Sequence, residues 1–161
     1  MTNDIEAFLD KLDFPMFIVT AAAGGRRSGC LVGFVSQCSV DPPRLLVCIS
    51  EKNHTHEVAG AAQWLAVHLI PRLRTELVDL FGSHSGHEID KFSRCEWTEG
   101  PERVPLLDAC PSRIVGRVIG RIPVGDHTAF LVEATEASAS AEQVYMFSMA
   151  RLQEVEPGRE P

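Results

Sequence analysis

The chain lacks any excess of positive charge: 15 Lys and Arg stand against 22 Asp and Glu, for a formal net charge of −7. Proteins that read nucleic-acid backbones carry basic surfaces, so that class is excluded, although one small basic pocket is not. No stretch approaches the roughly 18 consecutive apolar residues of a membrane span. The opening "MTNDIEAFLDKL" has acids where an export signal has positive charge and then an apolar run. A cytoplasmic protein is expected. Cysteines occur at 30, 38, 48, 95 and 110, an odd number with no CxxC pair. That pattern suits a reducing compartment and argues against a disulfide framework or a structural zinc site. Also missing are a Gly-x-Ser-x-Gly elbow, a phosphate-binding loop and a dinucleotide fingerprint. There is no internal repeat, low-complexity tract or interdomain linker.

What is present reads as one domain over residues 1–155, with a disordered charged tail at 156–161. "IEAFLDKL" places Ile5, Phe8, Leu9 and Leu12 at helical spacing. "FPMFIVTAA" reads as a strand and "GGRRSG" as a hairpin turn; "CLVGFVSQCSV" is the return, loosened at Gly33. "RLLVCIS" is a core strand with Cys48 packed inside it. "THEVAGAA" predicts a short helix with Thr55 as N-cap, and "QWLAVHLI" another strand. In "RLRTELVDLFG", Leu73, Leu77, Leu80 and Phe81 share a helical face that stops at Gly82. Residues 83–103 read as a polar surface loop. "SRIVGRVIGRI" and "TAFLVEATEA" flank a "PVGD" turn as an antiparallel pair, and "EQVYMFSMARLQEV" reads as a last strand. Frequent hairpins and few intervening helices favour a mainly β fold, an antiparallel β-barrel with peripheral helices.

Three polar groups are candidates for chemistry. Ser36, Gln37 and Ser39 precede "DPP", while Lys52, Asn53, His54 and Thr55 follow the strand after it. If the two strands share a sheet, hydroxyls, an ammonium and amides ahead of a helix could converge on a phosphate. The same residues also read as a rigid turn and a hydrophilic loop. "GDHT" at 125–128 is a turn with an exposed His127, or a hydrogen-bonding side chain at a strand mouth. "HSGHEIDKF" offers His84, His87, Glu88 and Asp90, whose spacing fits a solvated loop better than a metal site. No metal ligands are assigned.

In chain order these pieces, "SGCLVGFVSQCSVDPPRLLVCISEKNHTHEV", "WLAVHLI", "DKF", "VPLLDACPSR" and "GDHT", resemble the flavin reductase-like domain family. That family includes the small reductase components of two-component monooxygenases. The resemblance spans about residues 14–137. It implies an FMN-binding split barrel, six-stranded, antiparallel and Greek-key, that forms a homodimer. It implies an NAD(P)H:flavin oxidoreductase with FMN or FAD held near the interface, NADH or NADPH as donor, and hydride transfer to flavin N5. The partner it implies is a flavin-dependent monooxygenase. By this resemblance Cys30, Leu31, Val32, Gly33, Phe34 and Val35 line the ring. Ser36, Gln37 and Ser39 meet the ribityl chain and phosphate, and Lys52, Asn53, His54 and Thr55 complete the phosphate site. Lys91 and Phe92 border the pocket, and His127 orients the reacting rings. The chain departs from the family at Gly33, at Gln37 and in "YMFSMARL". These departures keep two alternatives open: an electron-transfer or sensor protein that does not oxidise NAD(P)H, and a barrel whose space at Gly33 admits a deazaflavin or haem.

Overall fold

A computed structural model describes residues 2–140 and 148–150. Helix α1 (Thr2–Leu9) leads to β1 (Phe17–Ala23) and β2 (Arg26–Val32). Their turn is Gly24–Gly25, both at positive φ (57° and 75°), the region where a side chain is strained and glycine is not. The chain bends through Gly33–Phe34 into β3 (Val35–Ser39), turns at the prolines, and returns as β4 (Arg44–Ser50). Then come α2 (His54–Ala61), β5 (Trp64–Leu69), α3 (Thr75–Gly82), two short strands β6 (Trp97–Glu99) and β7 (Pro105–Leu107), and the long hairpin β8 (Arg113–Pro123) and β9 (His127–Ser138).

The main sheet runs β2-β1-β5-β8-β9-β4-β3. Every neighbouring pair in it is antiparallel. Its two end strands, β2 and β3, are consecutive in the chain, so the sheet closes on itself through one strand broken at Gly33–Phe34. Counting β2 and β3 as that single strand gives the expected six-stranded barrel. Across the break, the Cys48 amide donates to Phe34 O at 2.9 Å.

Side chains alternating along the strands fill the barrel: Val19, Ala21, Cys30, Val47, Ile49, Leu65, Phe130 and Val132 are buried there. Val58 and Ala59 of α2 join this cluster, so that helix stoppers one barrel end. A second core lies outside, where α3 packs Leu77, Val78 and Phe81 with Ile18, Phe92 and Leu107. Strand β1 is therefore buried on both faces, which explains its nearly unbroken apolar run. Each such side chain contributes about 1.5–3 kcal/mol when fully buried. One buried polar group ties the layers together. His68 donates from Nδ1 to Ile18 O (3.0 Å) and accepts at Nε2 from the Leu107 amide (3.1 Å). Burial pushes its pKa down to about 4, so it stays neutral.

Three expectations change, and a fourth lies mostly outside the described residues. The N-cap of α2 is Asn53, whose side chain accepts from the Thr55 amide; Thr55 itself is buried as the second residue of the helix. Leu73 is 86% exposed, because α3 starts only at Thr75 and Leu73 lies outside its apolar face. The 83–103 segment is no plain surface loop: Lys91 and Phe92 are buried and β6 pairs with β7. The last strand falls largely outside the described residues, as does the 156–161 tail. Of that strand, Ser148 bridges to Pro15, and the Met149 amide donates to Phe14 O at 2.9 Å.

Candidate functional site

The break between β2 and β3 brings the exposed Phe34 beside His127 in the barrel wall, a place referred to as the mouth. His127 opens β9 opposite Ser50, at the far end of β4. Its ring lies 5.4 Å from that of Phe34, which is 54% exposed and also meets Phe14 at 5.7 Å. His127 Nδ1 donates to Asp126 Oδ1 at 2.7 Å, which leaves Nε2 as the acceptor of the neutral ring. That hydrogen bond, with smaller help from Lys52 and other groups, holds the Asp126 carboxyl below the usual carboxylate range. The Glu51 amide donates to Asp126 O at 3.0 Å and fixes the turn against the end of β4.

The second polar centre is a cleft of about 440 Å³ between β2, the start of α2 and the 86–92 segment. A directional chain of hydrogen bonds crosses it. Arg26 donates to His54 Nε2 (3.3 Å), so His54 Nδ1 carries the proton and donates to Ser28 Oγ (2.7 Å). Ser28 in turn meets Thr55 Oγ1 at 2.9 Å. Burial first, then His87 and Arg26, hold His54 below the ordinary imidazole range. His87 meets His54 edge-on at 4.8 Å and donates from Nε2 to Glu57 at 2.7 Å. Glu57 also accepts from Arg26 at 3.1 Å. These two hydrogen bonds, His87 first, hold its carboxyl low. At the cleft floor Lys91 Nζ donates to Gly29 O (3.0 Å) and Phe81 O (3.1 Å), and burial lowers its pKa to about 8.

The expected residues divide between these centres. Gly33, Phe34, His127 and Lys52 belong to the mouth; His54, Thr55, Lys91 and Phe92 belong to the cleft or lie behind it. Asn53 caps the helix between them. Cys30 and Val32 point into the barrel core, Leu31 packs on the outer core and Val35 against the barrel cluster, so their backbones rather than their side chains face the wall. Burial raises the Cys30 thiol. Ser36, Gln37 and Ser39 do not converge with residues 52–55. The antiparallel register sets Ser36 beside Leu46 and Ser39 beside Arg44, while Ser50 lies at the other end of β4. Six residues of strand separate those ends by roughly 20 Å. Gly33 leaves no void either. A Cβ there would lie 2.5 Å from Phe14 Cε2 and 2.9 Å from Met16 Sδ, so the space expected for another ring system is filled by the chain itself. His84 lies 3.8 Å from Asp79, away from the His87–Glu57 pair.

Residues 9–155 match the family described as the flavin reductase like domain. The chain belongs to the flavin reductase-like domain family. It is 31% identical over 137 residues to a ferric-chelate reductase (NAD(P)H) of Archaeoglobus fulgidus, covering 83% of this chain and 80% of that protein. It is 29% identical to the reductase component of an FADH(2)-dependent resorcinol hydroxylase from Rhizobium sp., over 76% of this chain and 69% of the relative. An FMN-binding protein from Thermus thermophilus superposes with a TM-score of 0.74 at 26% identity, over 81% and 72% of the two chains. By family this flavin reductase-like domain is an enzyme, an NAD(P)H-dependent oxidoreductase of the flavin reductase type.

Within that family frame, sequence reasoning overlooked three cleft residues, Arg26, Ser28 and Glu57, and read a fourth, His87, as part of a solvated loop. Arg26 and Ser28 were hidden inside "GGRRSG", which reads as turn chemistry. Only the closing of β2 against α2 shows that they face His54. The donor set fits a phosphorylated flavin. An exposed aromatic and a tautomer-fixed imidazole at the mouth suit a planar ring, and Arg26 with His54 beside a helix start suits a phosphate.

Proposed function

We propose that the chain reduces FMN or FAD with NADH or NADPH. The flavin ring would lie at the mouth against the paired Phe34 and His127 rings, and its phosphate would lie toward Arg26, Ser28 and His54. The observation that carries this reading is the meeting of Phe34 and His127 at 5.4 Å, two residues far apart in the chain brought together because β4 pairs with both β3 and β9. Bound flavin supplies the hydride acceptor at N5; the chain's residues hold and orient. Phe34 offers an apolar face that excludes water, while Asp126 fixes which nitrogen of His127 points into the mouth. His127 is thus read as an orienting group whose contribution is proximity and alignment. Lys52 and Asn53 sit where the ribityl chain would pass the start of α2. Ser36, two residues past Phe34, would border the ring side of the mouth, while Gln37 and Ser39 run away from it toward Arg44.

We read the working protein as a homodimer. Phe34, Val40, Ile119, Ile122 and Val124 are exposed apolar side chains at the break before β3, the turn after it and the β8–β9 hairpin. A second copy over this edge would cover them and close the mouth. The five free cysteines support a reducing, cytoplasmic setting, and among the described residues no helix is long and apolar enough to cross a membrane. A flavin-dependent monooxygenase is the partner this reading supplies with reduced flavin.

The test is pyridine-nucleotide oxidation by the purified protein in air, with NADH then NADPH, and with FMN then FAD. Accelerated oxidation with a flavin present is expected. No acceleration with any combination would overturn the reading. Bound flavin that dithionite reduces and NAD(P)H does not would favour an electron-transfer or sensor protein instead.

A further inference from the structure

Beside the Arg26–His54 cleft lies a second one of about 370 Å³, bounded by the Gly24–Gly25 turn, Ala61, Trp97, Glu99, Glu102 and Arg103. The two clefts share Gly25, Arg26 and Arg27, so a single cationic ridge separates them. On its far side Arg27 Cζ lies 4.7 Å from the Trp97 ring centroid, a guanidinium laid over an indole. Its other ionic neighbour, Asp90, is 3.8 Å away. Trp97 is not an adaptable surface residue. Its Nε1 donates to Phe92 O at 3.0 Å, and its ring meets the buried Phe92 ring edge-on at 5.7 Å. The opposite wall is held under backbone strain. Glu102 and Arg103 are consecutive non-glycine residues with φ of 52° and 65°. The Gly100 amide to Val104 O (2.8 Å) and the Val104 amide to Pro101 O (3.0 Å) pin that turn. Strain of this kind persists only where surrounding contacts over-determine it.

The chemistry of the walls is specific in combination. A flat indole with a cation beside it stacks a purine base, carboxylates accept hydrogen bonds from ribose hydroxyls, and two arginines on a ridge receive a diphosphate. A wholly apolar ligand would find charged groups on three sides. We propose that this second cleft is a subsite for an adenosine diphosphate moiety, with adenine on Trp97, the ribose toward Glu99 and Glu102, and the diphosphate across Arg26–Arg27. FAD and NADH both carry that moiety. The assignment rests on the flavin-reductase reading only for what the moiety is attached to. FMN lacks the adenylate and engages the first cleft alone. Glu99 and Glu102 also disfavour a 2′-phosphate by like-charge repulsion, so 5′-AMP binds better than 2′,5′-ADP, which differs from it only by that phosphate.

The experiment titrates ADP into the intact protein carrying Trp64→Phe, which leaves Trp97 as the reporting indole, since the chain has two tryptophans. Isothermal titration of the unsubstituted protein gives the same comparison should Trp64→Phe fail to fold. Saturable quenching by ADP is expected, about tenfold weaker in Arg27→Gln, and 2′,5′-ADP should bind about tenfold more weakly than 5′-AMP. Trp97→Leu then separates the sources. A roughly tenfold loss of FAD affinity at constant NADH KM assigns the subsite to FAD, and a raised NADH KM at constant FAD affinity assigns it to the donor. No ADP binding up to about 10 mM, or equal binding by the Arg27→Gln variant, overturns the proposal. A wild-type protein that binds ADP and not FMN would sink the flavin reading and leave this subsite standing.

Discussion

The mouth and the cleft each hold a histidine beside an acid, but they are wired in opposite ways. His127 has one fixing partner, Asp126, and one exposed aromatic neighbour, Phe34. His54 is hemmed in by Arg26, Ser28 and His87, and Glu57 is shared between Arg26 and His87. The mouth therefore keeps unspent hydrogen-bonding capacity directed by a single contact, the arrangement that positions a reacting ring. The cleft keeps its charges mutually satisfied, the arrangement that holds a site in shape before a ligand arrives. An anion entering the cleft must compete with Glu57 for Arg26. Binding there should accordingly be firm without being irreversible.

The largest effect expected from breaking this contrast is at the mouth. His127→Ala should slow hydride transfer, followed by stopped-flow absorbance, by about 10–100-fold while flavin affinity stays within a small factor. An unchanged rate would return His127 to the status of a turn residue. Arg26→Ala should do the reverse. It should weaken FMN binding about tenfold, the worth of one charge-assisted hydrogen bond, and leave the transfer rate at saturation alone. Riboflavin, which has no phosphate, is the control: its affinity should be the same for both proteins. Equal loss for riboflavin and FMN would remove the phosphate from the cleft.

Much of this was legible in the chain. The Gly24–Gly25 and Gly125–Asp126 turns, the apolar runs and the order of motifs specify an antiparallel barrel, because hairpin chemistry and strand periodicity are local properties. Gly33 was recognisable as a loosened strand position. That β2 and β3 form the two closing edges was not, since closure depends on every intervening register. The same non-local logic misled the reading of Ser36–Ser39 and Lys52–Thr55 as one cluster: sharing a sheet brings strands together, and antiparallel register then sets these ends apart. Lys91 looked like a loop lysine because its partners, Gly29 O and Phe81 O, are backbone atoms that composition cannot reveal. The masking of Arg26 and Ser28 by turn chemistry had a different cause, two roles carried by one short segment.

A pair of glycine substitutions probes the rigidity of the two centres. At Gly86 a Cβ would lie 2.6 Å from His54 Nδ1 and 3.2 Å from His54 Cβ, a ring already fixed on both nitrogens. Gly86→Ala should cost about 1–3 kcal/mol in a urea melt and weaken FMN binding by displacing the 86–92 wall. At Gly33 the nearest atoms are the edge of the Phe14 ring and Met16 Sδ, the outer ends of side chains that can turn. Gly33→Ala should cost less stability and act on the transfer rate instead, through the Phe14–Phe34 contact. Equal stability losses would contradict the contrast between a locked cleft and an open mouth.

The smallest effect is the pH dependence of the cleft. Burial, His87 and Arg26 hold His54 below its ordinary pKa when folded, so the unfolded chain binds its proton first as pH falls from about 6.5. Stability rises with pH wherever the unfolded state holds more protons, so His54 contributes fully above that pH and its share is lost as acid approaches the folded value. Glu57, also held low, contributes in the same direction in a lower window, below the ordinary carboxylate range. His68, pushed down to about 4, adds a larger loss over the same acid range, but it is present in every variant and cancels in a difference. Urea melts of wild type and His54→Asn from pH 7.5 to 4.5 should therefore converge as pH falls. The His54 ring protons should titrate below the ordinary value by NMR and move further down in Glu57→Gln, which removes the one neighbour favouring the charged ring. Parallel stability curves, with His54 titrating at its ordinary pH, would show that the cleft opens to water and is no more preorganised than the mouth.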